Sequence, residues 1–405
     1  MPSQLDTFST VNAFTYSIPE WANKIDVIVL GGGGGGQGGG AGFANGRSGA
    51  AGTYGAGLTL TRGTDFPPGK TTFSGFVGTS GTGGVRGNGT AGGASALSVE
   101  FGAVGPGATG SGTGSVALSW THTPDGYDNF VIVSVAATVA GGSITTHTRA
   151  ATYDGVTMPW LGVVDRGGGT GGWVHVFGIA VTPGAGAKTV SVTVSKAAAV
   201  YSSVKANSVS YGNVNTATVS AVTASGTNAL ATASGDPGVG GVNVGVVSIA
   251  SSSFAGLDST YASRFLHPGV PEFLIFDNGA TRNNLTTGMS VGFAASALSG
   301  MVMVRLPPRA EVSGAGGAAN SIVWVSGGRG GSPGNKTFNG QTYTGGIGSL
   351  NTEIGQQPAT ATAPGAGGGG SGGFLLGLTA NGGGGSAGRV WIYAHGDRPA
   401  FLPLL

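Results

Sequence analysis

Residues 24–42, KIDVIVLGGGGGGQGGGAG, carry the two ingredients of a phosphate cradle: an apolar run from Ile25 to Leu30 that empties directly into glycine. In a dinucleotide-binding unit such glycines let a pyrophosphate approach the backbone, and a following helix aims its N-terminus at the charge. The sequence predicts no helix here. Residues 43–63, FANGRSGAAGTYGAGLTLTRG, are broken repeatedly by glycine and show no apolar helical face. The first acidic residue after Asp26 is Asp65, well past the spacing of about 20 residues at which a ribose-binding carboxylate belongs. The segment TDFPPGKT (64–71) imitates the end of a P-loop, but Thr64 stands where a glycine belongs. Pro67 and Pro68 also lack the amides that would hold phosphate. It reads as a turn.

Other reactive side chains form no constellation. His122, His147, His175, His267 and His395 are scattered without metal-ligand spacing, and there is no cysteine. Asp125 and Asp128 in PDGYDN could share a calcium ion, although an Asp-rich turn explains them as well. Asp154, Asp165, Asp258 and Glu272 are carboxylates that glycoside hydrolysis could pair across a cleft, but sequence brings no two of them together. No G-x-S-x-G elbow is present. The expectation is therefore a protein without a catalytic residue, metal or cofactor. Aromatic rings are the better clue, because sugars stack on flat apolar faces. Trp160 and Trp173 flank the turn DRGGGTGG, while Tyr153 and Tyr261 lie in loop-like segments. These four are the candidate glycan contacts. The competing reading places the tryptophans in a core.

Composition narrows the setting. Of 405 residues, 85 are glycine and only 8% are charged, against about 25% charged in ordinary soluble domains. A net charge of +2 leaves no basic footprint for nucleic acid. The longest apolar run, FVIVSVAATVA at 130–140, falls far short of the roughly 20 residues of a spanning helix. The N-terminus shows neither a basic nor an apolar signal region, yet the Gly, Ala, Ser, Thr and Val content resembles secreted β-rich proteins. Virion components reconcile these facts, being made in the host cytoplasm and released by lysis without a Sec signal.

Glycine is unevenly spread: residues 1–104 hold 27, residues 309–405 hold 27, and the longer middle holds 31. The middle has clear strand periodicity. In AKTVSVTVSK (187–196), Val190, Val192 and Val194 alternate with Thr and Ser. Further strands are predicted at 115–121, 129–137, 173–181, 242–250, 272–277, 289–296 and 300–306, punctuated by PDGYDN, DG, PGAG, GDPG and DNG. This pattern predicts an antiparallel β-sandwich. The flanks carry strands at 25–30, 96–101, 321–325 and 389–394, and a hairpin around Asn339-Gly340. The resulting fold class is mainly β with almost no α-helix: a sandwich inserted into a glycine-rich domain of short strands and extended polyglycine. The boundaries are 1–104 and 309–396 for the two halves of the glycine-rich domain, 105–308 for the insertion, and 397–405 for a tail. GPGATGSGTG (105–114) and LPPRAE (306–311) serve as hinges. Three consecutive units are the alternative.

Free polyglycine should be disordered, since fixing each residue costs roughly 1–2 kcal/mol and a hydrogen bond returns about 0.5–1.5 kcal/mol. A threefold helix of the polyproline II type turns every N–H and C=O sideways. Without Cβ atoms such helices can lie side by side and bond to each other. Gly31, Gly32, Gly33, Gly34, Gly35, Gly36, Gly38, Gly39 and Gly40 are accordingly expected to be extended, ordered and bonded to segments such as 365–373. Packing within one chain and packing between the chains of a homotrimer both remain open, as does a flexible linker.

The two ends also carry a resemblance. FTYSIPEWANKIDVIVLGGGGGG (14–36) and NGGGGSAGRVWIYA (381–394) resemble the opening and closing strands of the glycine-rich minor tail proteins of siphophages that infect actinobacteria, such as mycobacteriophages. About half the chain is covered, and the insertion departs from the plain family domain. Within the insertion, RAATYDGVTM, VFGIAVTPGAGAKTVSVTVS and NSVSYGNVN resemble sandwich modules of bacterial and phage surface proteins. The first resemblance implies a structural component near the tail tip that contacts other tail proteins and host-envelope glycan or lipid during attachment. A tail-borne polysaccharide depolymerase and a secreted bacterial adhesin are the alternatives.

Overall fold

The computed structural model describes residues 2–38, 47–85, 88–140, 146–166, 171–227, 230–250, 254–257, 260–268, 272–279, 288–293, 298–310, 313–314, 317, 329–349, 361–371 and 381–396. Among these, antiparallel strand dominates and helix is almost absent, in agreement with the periodicity. The chain divides into two compact units. One comprises Met1–Arg62, Pro68–Ser98 and Pro308–Leu405, the other Gly63–Pro67 and Val99–Pro307. The predicted strands at 321–325 and the tail at 397–405 lie outside the described residues.

In the first unit a four-stranded sheet runs Ser3–Phe8, Arg389–His395, Lys24–Leu30, Leu58–Thr61. The apolar run that opens the glycine tract pairs with the strand that follows the last tract, from Lys24 against His395 to Leu30 against Arg389. Ile28 and Leu30 pack with Trp391 and Tyr343, and Tyr54 and Phe338 close the cluster. The hairpin Asn335–Phe338/Gln341–Thr344 turns at Asn339 (φ 48°) and Gly340 (φ 79°). These left-handed values are the ones a two-residue Asn-Gly turn adopts. Asp26, buried within its strand, accepts hydrogen bonds from Thr59 Oγ1 (2.6 Å) and Asn339 Nδ2 (2.9 Å), and pairs with His395 Nε2 at 2.8 Å. One carboxylate thus clips the hairpin and the last strand to Lys24–Leu30.

The second unit is built on one long strand, Lys188–Gly212. Its first half pairs with Thr148–Tyr153 and its second half with Asp128–Ala140, while Ala108–His122 runs along its other edge. The ladder to Ala108–His122 shifts register after Ser195 and again after Tyr201, and Ala198 takes φ 60°. There the sheet folds over on itself. Val116, Leu118, Val190, Val192 and Val194 of one half pack against Val131, Val133, Val135, Trp173 and Phe177 of the other.

The outer face of this sheet, through Ile132, Val174, Val176 and Tyr211, packs on a five-stranded sheet at Val244, Val246, Ile275 and Val302. That sheet presents Val247, Ile249, Leu274 and Met301 to a further three-stranded sheet carrying Ala231, Met289 and Val291. Val242–Ile249 is therefore buried on both faces, with Val242, Val244 and Val246 in one core and Val247 and Ile249 in the other. The sandwich expected from periodicity is a stack of sheets enclosing three cores.

Two expectations are corrected. The stretch 105–114 is not a hinge, because residues 108–114 form the first half of strand Ala108–His122. ALSVEF is not one strand: Ser95–Leu97 belongs to the first unit and Glu100–Val104 to the second. The chain changes units between Ser98, whose amide bonds Ser74 O, and Val99, whose amide bonds Gly240 O.

The second unit buries three histidines, His122, His147 and His175, and burial lowers the pKa of each. Burial pushes His122 down to about 4 and His175 down to about 3, with the Arg149 guanidinium adding to the shift at His175. In the unfolded chain both titrate near about 6.5. Between those values the unfolded state binds more protons, so stability is complete above about pH 6.5 and falls as pH drops. Denaturant titrations from pH 7 to pH 4 should show a loss of up to about 1.4 kcal/mol per pH unit for each histidine. His175→Phe should reduce that slope.

Candidate functional site

The glycine tract is the centre of a lattice. From Gly31 the chain stays extended and buried, and its amides fan out with a period of three. Gly31, Gly34 and Gln37 donate to the carbonyls of Thr53, Ala50 and Arg47 (2.7–3.1 Å). Gly32 and Gly35 donate to Gly93 and Thr90 at 2.9 and 2.8 Å, and Gly33 and Gly36 to Ser386 and Gly383 at 2.8 and 2.9 Å. Each neighbour runs antiparallel to the tract. The carbonyls face other neighbours: Gly33 and Gly36 accept from Gly81 and Gly84, and Gly34 and Gln37 from Gly368 and Ser371. Gly317 donates to Gly32 O at 2.8 Å. A threefold helix with no side chains is thus bonded on all sides. The expected contact with 365–373 is made by Gly368 and Ser371. Gly39, Gly40, Gly372 and Gly373 lie outside the described residues.

Spacing explains which positions must be glycine. A Cβ on Gly32, Gly33, Gly35 or Gly36 would lie closer than 3.0 Å to a carbonyl oxygen of Thr79, Ala366, Thr82 or Gly369. Gln37, in register with Gly31 and Gly34, carries a buried side chain, so the helix has room for one at that position. The segments that receive the tract's amides place a glycine at every third residue where they face it. Gly49 and Gly52, Gly89 and Gly92, and Gly382 and Gly385 each press a Cα against carbonyls of residues 31–36. The central tract, surrounded by neighbours, needs two positions in three. This period of three was present in the sequence and was missed, because the residues between those glycines differ from helix to helix.

The aromatic candidates part company. Trp173 is fully buried (0% exposed) with its ring 6.2 Å from His147, and Tyr153 is 5% exposed at the end of strand Thr148–Tyr153. Neither ring has a free face, so both are removed as glycan contacts. Tyr261 is half-buried and edge-on to Phe276 at 5.7 Å. Trp160 remains: it is 63% exposed on the outermost strand, with its ring 5.8 Å from His175. The register shift beside it, between Trp160 and Gly162, occurs where this strand begins to pair.

The remaining polar candidates have structural partners. Asp128 Oδ2 accepts from the Asp125 amide (2.7 Å) and from Ser210 Oγ (2.6 Å), which completes the PDGYDN turn. Asp154 pairs with Lys188 at 2.7 Å, and Glu272 accepts the Phe254 amide at 2.7 Å. Asp258 lies outside the described residues. At the start of TDFPPGKT residues 63–65 form a turn, closed by a 2.7 Å bond from the Gly63 amide to Phe66 O.

Residues 9–158 match the glycine-rich domain family. Over 122 residues the chain is 38% identical to the Gene 32 protein of Mycobacterium phage L5, a match covering 30% of this chain and 51% of that protein. The chain is related to a mycobacteriophage gene product. It spans about half the length of the curated relative it matches. No solved structure matches it.

Two comparisons test the site. Gly33→Ala places a methyl against the Ala366 carbonyl and should cost about 3 kcal/mol, the upper end for overpacking. Gly69→Ala, which meets nothing within 4 Å, should change stability by less than about 1 kcal/mol. Likewise Trp173→Ala should cost about 3–5 kcal/mol, and Trp160→Ala should leave the melting temperature nearly unchanged. Thermal and denaturant unfolding measure all four.

Proposed function

We propose that this chain is a structural minor tail protein of a tailed phage, at or near the tail tip, that helps the particle attach to an actinobacterial host. The observation that carries the reading is the similarity to a mycobacteriophage protein, joined to glycine-rich ends that resemble tail proteins. The physical design supports it. A lattice cross-linked through its backbone is a stiff element that needs neither disulfide nor metal, which suits a particle outside the cell. The sandwich unit carries the surface that meets the host, with Trp160 as the exposed ring available to an envelope glycan or lipid. In this reading the protein works by binding, without catalysis, and its other partners are neighbouring tail proteins.

Mass spectrometry of purified particles should find the protein in the virion, and antibody against it should label the tail tip and slow adsorption. Absence from particles, or release of reducing sugar from host envelope by the purified protein, would overturn the proposal.

A further inference from the structure

In the second unit the turn GDPG and the neighbouring strand ends border an open cavity of about 400 Å³ lined by Thr218, Ser220, Asp236, Pro237, Arg305 and Pro307. Arg305 sits in register with Ser220 on one side and Asn243 on the other. Its Nε is buried and has no hydrogen-bond partner among the described residues. Asp236 is held in place because its Oδ1 accepts the Gly238 amide at 2.8 Å, which leaves Oδ2 for another donor. Gly235 packs on the Arg305 stem, where an added Cβ would lie 2.7 Å from Cδ.

We propose that this cavity binds a neutral saccharide. A carboxylate and a guanidinium in one cavity oppose a simple anion and a simple cation alike. They suit a ligand that donates and accepts on adjacent carbons, as vicinal hydroxyls do. One hydroxyl donates to Asp236 while its neighbour accepts from Arg305, and the Thr218 and Ser220 hydroxyls serve either role. The rings of Pro237 and Pro307 offer apolar surface to the C–H face of a sugar. The volume lies within the range of small-ligand sites, about 300–1,000 Å³. The chemistry stands on these residues, and only its role in attachment rests on the proposed function.

The test uses the full chain and a panel of methyl glycosides of neutral hexoses, pentoses and N-acetylhexosamines, followed by saturation-transfer NMR and calorimetry. At least one sugar should bind, and Asp236→Asn and Arg305→Met should each weaken it tenfold or more with melting unchanged. Trp160→Ala should leave that binding intact. If Arg305→Met lowers the melting temperature, Thr218→Val replaces it in the comparison. No sugar binding, binding indifferent to these variants, or phosphate or glycine taking the cavity instead would overturn the inference. Sugar binding by a protein absent from particles would remove only the tail reading. A virion protein that binds no sugar would remove only the cavity.

Discussion

The first unit depends on one constraint, the approach of backbone to backbone without side chains between them. A polyproline II helix has no internal hydrogen bonds, so every amide of residues 31–37 must find its carbonyl on another segment. Three neighbours receive the amides in rotation, and others fill the carbonyls. No pair of helices shares enough bonds to persist alone, because each contact is made at one residue in three. Order is therefore a property of the whole lattice, and a single methyl at Gly33 or Gly36 strikes it at the centre. The strands at its end supply what the glycines lack. Lys24–Leu30 and Arg389–His395 bury apolar side chains, and in doing so fix where the first and last tracts begin and end.

Local chemistry was legible where one residue type has one physical use. Asn339-Gly340 announced its turn, the alternation of Val190, Val192 and Val194 announced a strand face, and a glycine tract leaving a buried strand announced a packed extended helix. What was illegible depended on partners. Ala197 to Ala199 interrupt the alternation, so the continuation of Lys188–Gly212 could not be followed past them. ATGSGTG reads as flexible, yet it is held straight by its ladder to the long strand. Trp160 and Trp173 flank the same glycine turn, and only strand position separates them. Trp173 belongs to a strand paired on both sides, Trp160 to an outermost one.

Scarcity of charge sharpens the use of each charged group. Asp26 is the one carboxylate of its strand, and it joins Thr59, Asn339 and His395, residues far apart in sequence. In the second unit Asp277 binds the Arg264 guanidinium with both oxygens (2.7 and 3.0 Å) and accepts from Tyr211 (2.8 Å). Such groups specify register among sheets whose valine-rich faces would otherwise tolerate slippage. Together with the glycine spacing, they let a low-complexity sequence define one arrangement.

The pairing of Lys24–Leu30 with Arg389–His395 has a consequence for the order of events at the ribosome. The central tract emerges early, but strands and helices that complete its surroundings are translated last. Residues 99–307 can reach their native contacts while the chain is still being made, whereas residues 31–37 must wait for 361–395. Until then the tract is exposed to solvent and to other nascent chains, and its lack of apolar side chains is what keeps that delay harmless.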